Sequence, residues 1–459
     1  MKNDTICAIS TPLGISGIGI IRISGPDAYR ILGRIFRPAK NIQVSEMPSH
    51  SVHYGHIIDG KKIIDEVLVT LMKKPKSYTR EDMAEIGCHG GLIPLKKVLS
   101  LCLENNARQA NAGEFTRRAF LNGRIDLIQA ESILEVIYSK TEKSLEISSK
   151  KLKGYFSSHL TEIRDVLVEL LSDIEAKIEF PEEEDIKKYS PDMLLRIEKI
   201  ISLINSILSR AGKGRIIQQG INAAITGKSN AGKSSLLNAF LKEERAIVTE
   251  IPGTTRDVLH ESININGVPV NVIDTAGIRK VKGRIEKMGV DKALEWMKKA
   301  EMILLVLDGN RKLNKYDTQL LEHLKNKSNY ILIINKSDLP QKIEKDYLEE
   351  RFPENRILSL SAKTGKGINS LEKKIYSLII EGCGEIQGDE VFLNFRQEGK
   401  IKEAKNLLLK IREAIAAEIT IDIIAEHLKT AIKKVDEITG RDISEEILDN
   451  IFSRFCVGK

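Results

Sequence analysis

Residues 227–234 read Gly-Lys-Ser-Asn-Ala-Gly-Lys-Ser, a complete G-x-x-x-x-G-K-[ST] phosphate loop. A mostly apolar run of strand length, 220–226, precedes it, and 235–241 follows with the apolar spacing of a helix. Strand, glycine loop and helix in that order commit this part of the chain to an α/β fold. Gly227 and Gly232 allow the tight backbone whose N–H groups converge on phosphate oxygens. Lys233 is expected to reach the β- and γ-phosphates and Ser234 to ligate Mg²⁺, with Asn230, Ala231 and Ser235 in the same cradle.

The motifs that follow select the nucleotide. Pro252-Gly253-Thr254-Thr255-Arg256-Asp257 offers Thr255 as a second Mg²⁺ ligand, a switch that holds only while a γ-phosphate is present; Thr249, Glu250 and Ile251 lead into it. Two alternating apolar runs within 263–273 flank Asn266-Gly267, a hairpin signal. The second ends in Asp274-Thr275-Ala276-Gly277, where Asp274 would hold Mg²⁺ through water and the Gly277 N–H would face the γ-phosphate. Residues 302–307 and 330–334 read as buried strands, ending at Asp308 and at Asn335-Lys336-Ser337-Asp338. The Asp338 carboxylate can accept from guanine N1–H and N2–H₂, a pattern adenine lacks, while Asn335 and Lys336 support the loop and cover the base. Ser361-Ala362-Lys363 would offer backbone N–H to guanine O6. Five motifs in this order specify GTP.

Hydrolysis departs from the Ras pattern. The position after Asp-Thr-Ala-Gly, where Ras-type proteins place a water-orienting Gln, is Ile278. Arg279, Lys280, Lys282, Arg284 and Glu286 follow it as candidates to replace that Gln, by a carboxylate that holds a water or by an arginine finger.

The surrounding chain sets the context. Its 459 residues suggest about three domains, and 42% hydrophobic with 29% charged residues is ordinary for a globular chain. No membrane-spanning run or signal peptide is visible, and Cys7, Cys88, Cys102, Cys383 and Cys456 form no C-x-x-C pair, so structural zinc and a disulfide framework are not expected and a cytoplasmic location is. Net charge is +7, and residues 1–118 hold 17 basic against 11 acidic side chains, compatible with an RNA partner. That segment is strand-rich (18–23, 67–72, 83–88) with a helix near 92–104, an α+β domain. From 126 to 210 the pattern is helical, with one apolar stripe through Ile133, Leu134, Ile137, Tyr138, Leu145 and Leu152 and another through Ile163, Val166, Leu167, Leu170, Leu171 and Ile174. A helix opens at Pro191 and runs through Leu208, and helices return at 395–417, 421–439 and 444–455. The expected architecture is a multi-domain α/β chain: an N-terminal α+β domain (1–118), a discontinuous helical domain (119–215 and 384–459) and an inserted Ras-like P-loop GTPase domain (216–383).

Asp4-Thr5-Ile6, the run Gly17-Ile18-Gly19-Ile20-Ile21-Arg22-Ile23-Ser24-Gly25, Ser77-Tyr78-Thr79-Arg80-Glu81-Asp82, His89-Gly90-Gly91, Gly113-Glu114-Phe115-Thr116, Arg118-Ala119-Phe120-Leu121-Asn122-Gly123 and the terminal Phe455-Cys456-Val457-Gly458-Lys459 together resemble the MnmE (TrmE) family of tRNA modification GTPases. The resemblance spans the chain. It implies a folate-binding N-terminal domain through which the chain forms a homodimer, and an FAD-dependent partner, MnmG, making a heterotetramer. It implies addition of an aminomethyl or carboxymethylaminomethyl group at C5 of wobble uridine 34 of tRNA, from a tetrahydrofolate one-carbon donor (5,10-methylene-, with 5-formyl-tetrahydrofolate as analogue). The family's folate contacts fall on Arg22, Glu85, Arg124 and Lys459; Arg124 stands where the family often has Lys, and Arg80 where it usually has Gly. The family also activates hydrolysis by nucleotide-dependent pairing of G domains around a potassium ion, which here implicates Asn230, Thr249, Ile251 and Thr254, with Glu286 as the carboxylate that orients water. Cys456 is a candidate nucleophile toward uridine C6; the other reading is a tail residue that packs near folate.

Two rival functions need features of their own. A ribosome-assembly GTPase switch calls for a second G domain or a KH-type module, and a dynamin-like membrane enzyme for a lipid-inserting segment. The sequence shows one G domain beside a split helical bundle, and no such segment.

Overall fold

The computed structural model describes residues 4–179, 191–240, 246–247, 261–273, 288–384 and 390–459. It divides into two compact units: Met1–Leu134 with Lys151–Glu198 and Lys400–Lys459, and Glu135–Lys150 with Lys199–Gly399.

In the first unit β1 (Ile6–Ile9), β2 (Ser16–Ser24), β3 (Phe36–Pro38), β4 (Ser51–Asp59), β5 (Lys62–Met72), β6 (Met83–Gly90) and β7 (Arg108–Gln109) form one sheet, ordered β3-β4-β5-β6-β2-β1-β7. Every pairing is antiparallel except β1 with β7. Strand alternation turns Ile21, Ile23, Val69, Leu71 and Ile86 toward helices Ala28–Ile35 and Leu92–Glu104, whose Ile31, Leu32, Leu95 and Val98 complete the core. The opposite face leaves Val52, Tyr54 and Leu68 exposed, with Tyr54 directly across from Leu68. Cys7, Cys88 and Cys102, dispersed in sequence, share the covered core as free thiols.

Chain segments from either side of the phosphate-loop region meet in this unit. Helix Tyr155–Glu179 buries Ile163, Leu167, Leu170 and Ile174, and packs on helix Ile421–Thr439, which buries Ile424, Leu428, Ala431 and Val435. Arg164 Nε bonds Asp436 Oδ1 at 2.7 Å across the pair. Helix Glu445–Phe452 instead joins Leu127 and Ala130 of helix Leu127–Ile137 in a small core with Phe455.

The first predicted helical stripe is not continuous. The chain leaves its helix after Ile137, and Thr141 and Ser144 cap each other reciprocally (3.0 and 3.2 Å) to open helix Glu142–Leu152 on a new phase. Ile137, Tyr138 and Leu145 are therefore exposed, and Ser144, Ile147 and Ser148 are buried in their place. The helix from Pro191 also runs past its expected end at Leu208, to Gln219.

The second unit holds β8 (Ile221–Thr226), β9 (Ala246–Ile247), β10 (Glu261–Ile265), β11 (Val268–Val272), β12 (Met302–Asp308), β13 (Tyr330–Asn335) and β14 (Ile357–Ser359), ordered β14-β13-β12-β8-β11-β10-β9. The five strands from β14 to β11 are parallel and almost wholly apolar, as strands covered on both faces must be. The β10–β11 hairpin turns at Asn266-Gly267, both at positive φ (51° and 89°), as the sequence predicts.

A buried ion network anchors the start of the chain. Arg118, 6% exposed, donates to Asp4 Oδ1 (2.6 Å) and Asp4 O (2.9 Å) and reaches Glu81 and Glu114, both at 3.2 Å. Burial alone would raise the carboxyl pKa values of Asp4 and Glu114, but hydrogen bonds from Arg108, and for Asp4 also from Arg118, hold both below the usual range. Arg118→Met leaves Glu81 without its guanidinium partner and Asp4 and Glu114 with Arg108 alone, and should cost this unit about 3–5 kcal/mol, read as an earlier urea midpoint. Because both pKa values are depressed on folding, the network's contribution should be intact above the ordinary carboxylate range and fade as pH falls through the lowered values, so the two proteins' midpoints should converge in acid.

Candidate functional site

The phosphate loop leaves β8 at the point where β12 lies on one side and β11 on the other, the switch point of the sheet order. Gly227 (φ 137°) and Gly232 (φ 100°) hold conformations that L side chains rarely adopt, and a Cβ on them would lie 2.1 Å from Val306 O and 2.0 Å from Asn335 Nδ2. Asn230 is also left-handed (φ 66°), and Ala231 is buried. Helix Lys233–Phe240 starts inside the motif, so Lys233, Ser234 and Ser235 form its first turn, where unpaired N–H groups and the helix dipole favour an anion. Lys233 Nζ folds back on Gly227 O (2.7 Å) and Lys228 O (2.8 Å), and burial lowers its pKa to about 8. The negative charge of a triphosphate would offset that desolvation and favour the charged ammonium.

Asn335, at the end of β13, ties the phosphate loop to the base loops: its Nδ2 donates to Ala231 O (2.8 Å), and its Oδ1 accepts from Ala362 N (2.9 Å). Lys336 (φ 65°) is pinned by Asp308 Oδ2 at 2.7 Å. Ser361 Oγ donates to Asp338 Oδ1 at 2.6 Å, and this bond holds the Asp338 carboxyl below its usual pKa, ionised and acceptor-only. Lys363 stands exposed in the same loop. Sequence reasoning named the loops but missed two supports, Asp308 under Lys336 and the Ser361 hydroxyl on Asp338. The predicted residues Thr249, Glu250, Ile251, Pro252, Gly253, Thr254, Thr255, Asp274, Thr275, Ala276, Gly277 and Glu286, with Ile278, Arg279, Lys280, Lys282 and Arg284, lie outside the described residues.

A second cluster lies in the other unit. Arg22 of β2 and Glu85 of β6 are direct cross-strand partners, and Arg22 Nε and Nη2 reach Glu85 Oε1 at 2.9 and 2.8 Å. Arg22 Nη1 also donates to Gly458 O (3.2 Å). Lys459 follows, half-buried; burial first and Arg22 second push its ammonium pKa down, against the pull of Glu85. Arg124 lies 4.6 Å from the centre of the Tyr78 ring and Arg22 5.1 Å from the same ring, which thus has two guanidinium groups within cation–π range. A planar guanidinium suits that stacking where an ammonium would not. Tyr78 and Phe115, 5.5 Å from Arg22, were not predicted as site residues, although both stand inside the motifs singled out in sequence. Arg22, Arg124 and Lys459 bring three cationic side chains to this cluster against the one side-chain carboxylate of Glu85, which favours an anion.

The terminal segment is built into this cleft. Phe115 N donates to Lys459 O (3.2 Å) and Ser10 Oγ to Gly458 O (3.1 Å); the Cys456 thiol is exposed. Arg80 takes the left-handed conformation (φ 60°) that favours glycine, and its Nη1 secures the loop on Asn122 O at 2.9 Å.

Two family models match the chain: the GTP-binding protein TrmE N-terminus over residues 5–124 and the MnmE helical domain over 127–456. The chain is 44% identical over 461 residues to a tRNA modification GTPase MnmE of Thermoanaerobacter pseudethanolicus and 43% identical over 466 residues to one of Carboxydothermus hydrogenoformans, covering 100% of both chains in each pair. It is 41% identical to one of Geobacillus thermodenitrificans, covering 99% of each.

Asp338→Asn preserves shape but replaces an acceptor by a donor, which fits a purine with oxygen at C2. Affinity for GTP should fall about 100-fold or more while xanthosine triphosphate gains, by competition titration. Unchanged GTP affinity would remove Asp338 from the base pocket.

Proposed function

The chain belongs to the MnmE family of tRNA modification GTPases, and from that premise we propose that it hydrolyses GTP in the course of modifying wobble uridine 34 of tRNA at C5. With an FAD-dependent partner of the MnmG type, it adds an aminomethyl or carboxymethylaminomethyl group. A tetrahydrofolate derivative, when bound, supplies the one-carbon unit. The observation that carries this reading is the convergence of Arg22, Glu85 and Lys459 from distant parts of the sequence into one cation-rich cleft. Arg22, Arg124 and Lys459 suit folate carboxylates, and Glu85 suits the N–H edge of a pterin. Tyr78 offers a flat face beside them. Cys456, exposed at the end of the same tail, remains the candidate thiol for addition to uridine C6.

In the nucleotide site, Lys233 would hold phosphate oxygens, Ser234 and Thr255 would ligate Mg²⁺, and Asp338 would read guanine. Asn230, Thr249, Ile251 and Thr254 would hold K⁺, which would supply positive charge to offset that developing on the phosphates when G domains pair. Glu286 orients the attacking water, a role that Ile278 cannot fill. The domains follow the limits 1–118, 119–215, 216–383 and 384–459. The exposed Val52, Tyr54 and Leu68 on the N-terminal sheet support a homodimer through that domain. No described helix is long and apolar enough to cross a membrane, and we place the enzyme in the cytoplasm.

GTP turnover should require K⁺, with Na⁺ ineffective, and Glu286→Ala should keep nucleotide affinity while losing most of the turnover. Equal rates in the two salts, or an unaffected variant, would overturn the respective assignment. Nucleoside analysis of tRNA from a deletion strain should show C5-substituted wobble uridines missing; a normal profile would reduce the function to GTP hydrolysis.

A further inference from the structure

The β10–β11 hairpin occupies a particular place in the sequence. Glu261 follows the stretch 249–257 closely, and Val272 stands two residues before Asp274. The hairpin is thus the rigid element joining the two loops that, in the reading above, attend the γ-phosphate. It is held from outside the nucleotide site by residues 140–143, in the same compact unit.

The centre of that contact is a polar knot. Ser262 and Asn271 are direct cross-strand partners, and Ser262 Oγ donates to Asn271 Oδ1 at 2.7 Å. The Lys140 ammonium donates to both, at 3.2 Å to Ser262 Oγ and 3.0 Å to Asn271 Oδ1, and so spans the two strands at one register position. Asn271 Nδ2 donates in turn to Gln219 O (2.9 Å), at the end of the helix that leads into β8 and the phosphate loop. At the hairpin's turn, Thr141 Oγ1 donates to Gly267 O at 2.8 Å. Among the described residues no carboxylate pairs with Lys140, and burial pushes its pKa down. A partly dry cation held only by neutral oxygens is a poor device for stability, since an apolar side chain of the same length would fill the space without the desolvation penalty. What the ammonium provides is direction: it fixes both strands relative to the segment 140–143.

We propose that Lys140 is a positioning residue for GTP hydrolysis, acting through Ser262 and Asn271 to set the hairpin on which both γ-phosphate loops hang. The proposal rests on the assignment of 249–255 and 274–277 to those loops. Asn271 pairs with Asn222 at the start of β8, away from the phosphate loop that follows its end, so the effect belongs in turnover rather than in binding.

The test uses the full chain and measures kcat and KM for GTP, equilibrium affinity for a fluorescent GDP analogue, and the thermal midpoint. Lys140→Met should lower kcat roughly 5- to 20-fold, a cost typical of a small misplacement, while GDP affinity stays within about twofold and the midpoint is unchanged or higher. Lys140→Arg, which keeps a cationic donor, should recover part of the rate. Asn271→Leu should lower kcat similarly, and the double variant should be no slower than the slower single one. Unchanged kcat in Lys140→Met, additive losses in the double variant, or a rate loss that follows a lowered midpoint would each overturn the role of Lys140. Absence of GTP turnover in the wild-type protein would instead overturn the functional reading beneath it.

Discussion

The bond on which the first unit depends closes the chain on itself. Gly458 O accepts from Ser10 Oγ and from Arg22 Nη1, two groups more than 430 positions earlier in the sequence. Gly458 holds φ 96°, and a Cβ there would lie 2.4 Å from Ile9 O, so the tail reaches β1 only because this residue is glycine. A short antiparallel bridge between Ala112 and Val457 and the donation from Phe115 N to Lys459 O complete the closure. Tyr155–Glu179 and Ile421–Thr439 likewise form one layer, through their apolar faces and the Arg164–Asp436 pair, although the nucleotide-binding sheet is inserted in the sequence between them.

Both candidate sites use the same electrostatic device. Lys233 and Lys459 are each held where burial lowers the ammonium pKa, the first without a carboxylate partner among the described residues and the second with Arg22 adding to the effect of burial against the pull of Glu85. Such cations are ready for an anion and lose little in reorganising toward it. The supporting residues are polar and already satisfied: Asn335 with both amide atoms engaged, Asp338 with Ser361, and Tyr78 with Thr116 at 2.9 Å. The geometry is therefore set by the protein rather than left to the ligand.

Much of this is legible in the residues themselves. The phosphate loop, the hairpin at Asn266-Gly267 and the apolar strands β12 and β13 declare themselves because a single local rule governs each. The resemblance of scattered motifs brought Arg22, Glu85, Arg124 and Lys459 to notice, which no periodicity could have done, since they are brought together only by the sheet register and the tail. What escaped was decided by a competition between local signals. Apolar spacing carries the helix at Ile133 onward through Leu152, but the mutual caps of Thr141 and Ser144 win and rotate the next helix. Lys140, in the resulting break, reads in sequence as one more surface lysine. Asp308 likewise reads as a strand end, and only the fold brings it beneath Lys336.

The closure of the chain has a consequence for synthesis. The carboxylate and both guanidinium groups of the cation-rich cluster are made before the nucleotide domain, but the Lys459 ammonium lies well beyond it. A ribosome that has translated only as far as the nucleotide domain carries a protein whose sheet can pair and whose phosphate loop can form, yet whose second site has no floor. Translation through the second helical segment, rather than folding of the N-terminal sheet, completes it. Chains ended by a nonsense codon within that segment would lack the tail that Ser10, Arg22 and Phe115 hold, and with it the Lys459 ammonium.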